Sequence, residues 1–173
     1  QNVAITNCIM ADGHGGVVIG SEMSGDVRNV VIANCIFRGT DRGIRIKSRR
    51  GRGGIVEDVR VSNILITEVL CPIAINLYYA CGRLGDKSVS DKRAQEVNAG
   101  TPQVRRIHLS NLSVRGARLA AAYVYGLPEM PIDDLSIVDT QIDMAAEAAP
   151  GYAEMADEID QMARHGLFIR NAQ

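Results

Sequence analysis

The chain has 173 residues (18.7 kDa), of which 46% are hydrophobic, with 17 glycines, no tryptophan and two phenylalanines. That length supports one continuous core, which without large aromatics has to be assembled from Val, Ile, Leu and Ala in small regular units. A formal net charge of −1 argues against nucleic acid as a partner, and no apolar run nears the roughly 18 residues of a membrane-crossing helix.

The first element, NVAITNCI (2–9), alternates apolar and polar residues, and its pattern returns four times. The later copies are NVVIANCI (29–36), DVRVSNIL (58–65), RIHLSNLS (106–113) and DLSIVDTQ (134–141). Each reads as a half-buried strand ending on Asn or Asp, at Asn7, Asn34, Asn63, Asn111 and Asp139. A second strand follows each: GGVVIGS, RGIRIKS, CPIAINL, AAAYVYG and, after a longer gap, HGLFIRN. Repeats near 28 residues built from short alternating strands stack as coils of a parallel β-helix. Equivalent residues then form ladders about 4.8 Å apart. Asn suits the turn position, because it tolerates left-handed backbone and its amide can bond the next coil. Cys8, Cys35, Ile64, Leu112 and Thr140 share one ladder, so the cysteines read as buried thiols and not as metal-binding CxxC pairs. A β-sandwich would show hairpin signals between paired strands, and a βαβ fold would show helical periodicity in the gaps. Neither is present.

The fold expected is therefore all-β, one solenoid domain over 1–173, interrupted twice. Residues 82–103 are polar and turn-rich and read as a loop insertion. Within 144–165, Pro150 followed by Tyr152, Met155, Ile159 and Met162 predicts a short helix packed on the flank.

Superposing the first two coils at an offset of 27 places GHGGVVIG (13–20) on TDRGIRIK (40–47). Val17 and Ile19 then point inward with Ile44 and Ile46, while Val18 and Gly20 share the outer face with Arg45 and Lys47. His14 precedes the first of these strands. The segment 42–52 carries six basic residues and no acid, and Tyr78 and Tyr79 follow on the third coil. An imidazole, two cations and a tyrosine on one face, in a chain with only 4% aromatic residues, suit an acidic polysaccharide better than nucleic acid.

These residues carry a resemblance. Gly13-His14-Gly15, then Arg45-Ile46-Lys47, then YYACG resemble the later signature motifs of glycoside hydrolase family 28, the polygalacturonases and other pectin-degrading hydrolases. The run 100–132 is similar to later coils of its members. The resemblance implies a right-handed parallel β-helix, a galacturonan or pectin substrate, and inverting hydrolysis of α-1,4-galacturonosyl bonds. It implies a supporting catalytic role for His14 and substrate binding by Arg45, Lys47 and Tyr79. No cofactor, metal, nucleic-acid or membrane partner is implied, and secretion or a periplasmic location is expected. The family's aspartate motifs, Asn-Thr-Asp and Asp-Asp, are absent here, and Asp12 and Asp41 stand in no matching motif. The chain is therefore expected to be part of a longer enzyme, holding the His/Arg/Lys half of the site and inactive alone. The alternative is a noncatalytic β-helix module that binds acidic polysaccharide.

Overall fold

The structure, a computed structural model, describes residues 1–82 and 85–173. Its strands, in chain order, are β1 (Val3–Thr6), β2 (Ile9–Ala11), β3 (Val17–Ile19), β4 (Val27–Arg38), β5 (Arg42–Lys47), β6 (Ile55–Thr67), β7 (Cys71–Asn76), β8 (Gln103–Ala117), β9 (Ala120–Tyr125), β10 (Asp133–Met144) and β11 (His165–Arg170). They form two parallel sheets. The first runs β1-β4-β6-β8-β10, with β2 also paired to β4, and the second runs β11-β9-β7-β5-β3. Successive coils contribute one strand to each sheet, which is a parallel β-helix.

Registers follow the sequence repeat. Ile5, Ile32, Val61, Leu109 and Ile137 form one inward ladder of the first sheet. Ile19, Ile46, Ile75, Val124 and Ile169 form one in the second. The central rungs of both are buried, each worth about 1.5–3 kcal/mol relative to exposure. Cys35, Ile64, Leu112 and Thr140 are level, as the repeat requires. The four cysteines are free; Cys35 and Cys71 are buried, Cys8 is partly so, and Cys81 is exposed.

The recurring Asn does not end its strand. Asn34, Asn63 and Asn111 lie inside β4, β6 and β8, each with φ between 51° and 57°. A single left-handed residue turns the strand without breaking its ladder, so each coil carries one long bent strand in this sheet. The amides bond between coils: Asn63 Nδ2 donates to Asn34 Oδ1 at 2.7 Å, and Asn111 Nδ2 to Asn63 Oδ1 at 3.3 Å.

The helix expected within 144–165 does not form. Residues 145–164 are an irregular loop in which Glu158 and Arg164 have positive φ, which helical backbone excludes. Tyr152 and Met155 are exposed while Ile159 and Met162 pack on the core, and Ala153 and Glu154 between them are buried, so the four apolar residues do not share one face. The helical turn found among the described residues is a short 3₁₀ segment, Lys87–Val89, capped by Asp86, whose carboxylate accepts from the Ser88 N–H. It lies in the 82–103 interval, of which Arg83 and Leu84 are outside the described residues.

Candidate functional site

The outer face of the second sheet carries the sequence-derived site. Val18, Arg45, Ala74, Tyr123 and Phe168 are level on successive strands, and Lys47, Asn76, Tyr125 and Arg170 are level two residues on. Lys47 and Tyr79 come together: Lys47 Nζ lies 3.2 Å from the Tyr79 hydroxyl and 4.4 Å from its ring centroid. The Tyr79 N–H donates to the Ser48 carbonyl, which fixes the ring beside β5 at 7% exposure. On the preceding coil stands Gly20, with φ of +93°, where a Cβ would collide with the Lys47 carbonyl oxygen. Only glycine lets the chain pass that close to Lys47.

His14 stands apart from this pair. It is level with Asp41, whose N–H bonds the Gly13 carbonyl, four residues before Arg45 and so about 13 Å along the strand. Its side chain is 92% exposed, and Nδ1 lies 2.7 Å from Asp41 Oδ2. An ionised carboxylate can only accept, so Nδ1 donates and Nε2 faces solvent. With Asp12, Gly13 and Gly39 this pair lines an open depression of about 290 Å³. The offset of 27 that aligns the coils also puts Asp41 level with His14, so the pairing was legible in the repeat. Asp12, with φ of 57°, is a left-handed turn residue.

Arg45 is not open to solvent. It is 6% exposed and gripped by Glu154, with Nε to Oε1 at 2.7 Å and Nη2 to Oε2 at 2.8 Å. Arg42 backs the same carboxylate at 3.3 Å while donating to the carbonyls of Ala153 and Tyr152. Glu154, 109 residues from Arg45 and in the segment expected to be helical, left no signal in the sequence.

Most of the remaining basic run is also engaged internally. Arg50 makes a bidentate pair with Glu129 and donates to the carbonyls of Ser88, Asp91 and Arg93. Burial pushes Glu129 upward, but the Arg50 hydrogen bond and charge together with backbone N–H donors outweigh it and hold the carboxyl below its ordinary value. Arg52 pairs with Glu22, and Arg49 donates to the Gly82 carbonyl. Lys47 differs, because its hydrogen-bond partner is a neutral hydroxyl and the carboxylate it acts on, Glu22, is hydrogen-bonded to Arg52 and Ser21 instead. Tyr78 is buried against Tyr125 at 4.5 Å between centroids, with the Lys92 ammonium 3.9 Å from the Tyr78 centroid. Burial raises its hydroxyl to about 12 and lowers the Lys92 ammonium. Among the described residues no cluster of three His, Cys, Asp or Glu side chains stands ready to hold a metal ion.

Known proteins resemble this chain in sequence and fold. Residues 1–101 match the profile of the family described as Glycosyl hydrolases family 28. An endo-polygalacturonase of Pectobacterium carotovorum subsp. carotovorum is 40% identical over 79 residues, covering 46% of this chain and 19% of its own length. Polygalacturonase-2 of Solanum lycopersicum is 35% identical over 88 residues, covering 49% and 19%. The crystal structure of a hyperthermoactive exopolygalacturonase from Thermotoga maritima superposes with a TM-score of 0.68 at 28% identity, over 94% of this chain and 36% of that one. The chain thus spans about a fifth of the length of these curated relatives. With the family profile covering more than half of its residues, and the parallel β-helix present, the chain belongs to glycosyl hydrolase family 28.

Proposed function

We propose that this chain is the substrate-holding part of a pectin-degrading hydrolase that acts on α-1,4-linked galacturonate. The observation that carries the reading is the Lys47–Tyr79 pair, a cation with its charge uncancelled by Tyr79 and lying over an aromatic ring, beside a coil kept bare by Gly20. An ammonium suits a uronate carboxylate, and a tyrosine offers a sugar both an apolar face and a hydroxyl. Arg45 takes part from behind, its guanidinium 5.7 Å from the Tyr79 centroid while its other partner is Glu154. His14, held by Asp41 through Nδ1, stands at the opposite end of the strand with Nε2 open to solvent.

Hydrolysis with inversion needs one carboxylic acid to protonate the leaving oxygen and one carboxylate to activate water. The aspartate motifs that resemblance assigns to these steps are not in this sequence. His14 would steady such groups from the next coil, and the 173 residues alone would bind without turnover. A cell-wall substrate goes with a secreted or periplasmic protein.

Calorimetric titration with trigalacturonate tests the reading. Binding is expected to weaken with added salt and to fall about tenfold or more in Lys47→Ala, as loss of a charged hydrogen bond predicts. Tyr79→Phe, which keeps the ring, should lose less. Equal binding of a neutral trisaccharide, or wild-type affinity in Lys47→Ala, would overturn it.

A further inference from the structure

The outer face of the second sheet is open at β3 and closed beyond β5. Val18 on β3 is 41% exposed, whereas Ala74 and Asn76 on β7 and Tyr123 and Tyr125 on β9 are buried. The loop 145–164 reaches Asn76 through the Met155 carbonyl and lines a small cavity with Tyr123 and Tyr125, while Tyr78 and Lys92 cover Tyr125 from the other side. The loop is closed on itself by reciprocal backbone hydrogen bonds between Gly151 and Met162. It is pinned at three further places along the face. Glu154 holds Arg45 and Arg42 of β5, as described. The Met155 carbonyl accepts from the Ala80 N–H at 2.9 Å and from Asn76 Nδ2 at 3.5 Å. The Asp157 carbonyl accepts from Lys92 Nζ at 3.4 Å. A loop held by a buried bidentate ion pair and by bonds to β7 and the 82–103 insertion is a fixed wall, since moving it would strip the pairing from two buried arginines.

A glycan crossing the coils along this face therefore meets Lys47 and Tyr79 and then the wall. We propose that the site takes the end of an acidic glycan chain, a terminal uronate, and that Glu154 is the residue that sets this specificity. Resting on the uronate reading above, it adds which part of the polymer enters. Glu154 does so in two ways. It anchors the loop that blocks β7 and β9, and it neutralises Arg45 and Arg42. Of the cations on β5, Lys47 is then the one whose hydrogen-bond partner is a neutral hydroxyl, left to meet the carboxylate of the terminal sugar.

Length dependence tests this on the wild-type chain. Galacturonate oligomers of about three and about ten residues should bind with affinities within about twofold of each other, because the wall admits no sugar over β7 and β9. Long polygalacturonate should saturate at a single copy per chain end. Glu154→Gln keeps the side chain's shape while removing its charge, and in a variant whose circular dichroism matches wild type it should bind the longer oligomer more tightly than the shorter. If the wild type already binds the decamer about tenfold more tightly, or decorates polygalacturonate along its length, the end-site assignment is wrong while the uronate reading survives. Failure to bind any uronate oligomer would overturn both.

Discussion

Glu57 and Glu154 are both clasped by arginines, one on the outside of the first sheet and the other beneath a loop on the second. Around Glu57 the partners are Arg28, Arg105 at 2.7 Å and Arg106 at 2.6 Å, all partly exposed, with Asp26 and Asp58 extending the network. Arg28, Glu57 and Arg105 are level on three successive coils, so this network is a product of the repeat. Around Glu154 everything is buried, and the glutamate comes from a segment outside the repeat. The first cluster staples coils that hydrophobic ladders already hold together. The second determines what reaches the site. Glu57 is itself buried, so the difference lies in its arginines: they reach solvent and can be rehydrated if the glutamate is lost, whereas removing Glu154 leaves buried arginines uncompensated.

Substitution at the two glutamates should widen that contrast. Glu154→Ala abandons Arg45 and Arg42 in a dry environment and is expected to cost about 3–5 kcal/mol, seen as a lowered urea midpoint. A midpoint shift no larger than that of a surface substitution would mean that water reaches both arginines. Glu57→Gln should do much less at neutral pH and show itself in acid. The Arg105 hydrogen bond, then that of Arg106 and the nearby Arg28 charge, hold the Glu57 carboxyl below its ordinary 4.5. The unfolded chain thus takes up that proton first as pH falls. The contribution is full above about 4.5 and is lost as pH drops through the lower folded value. Thermal melts between neutral pH and pH 3 should therefore fall less steeply in Glu57→Gln than in wild type, and parallel curves would remove Glu57 from the acid response.

The same contrast explains what the sequence could reveal. Features that recur with the coil were readable: the inward ladders, the left-handed asparagines, and the outward placement of Arg45 and Lys47. Even Asp41 beside His14 follows from the offset of 27. Features supplied once, by chain crossing between coils, were not. Tyr152, Met155, Ile159 and Met162 fall at helical spacing, yet the sheet beneath draws that segment out by offering buried arginines to a carbonyl pair and a carboxylate. A local pattern lost to tertiary pairing, and with it went the sign that Arg45 has a partner. The run 42–52 consequently reads as an open basic groove, whereas in the fold Arg42, Arg45, Arg50 and Arg52 are paired with acids and Lys47 meets a hydroxyl.

The most direct measurement is a crystal structure of the chain with trigalacturonate bound. The account predicts a terminal carboxylate on Lys47 Nζ, its ring against Tyr79, with Glu154 still paired to Arg45 and the remaining sugars directed toward β3. A carboxylate seated on Arg45 with Glu154 displaced, or sugars lying over β7 and β9, would contradict it.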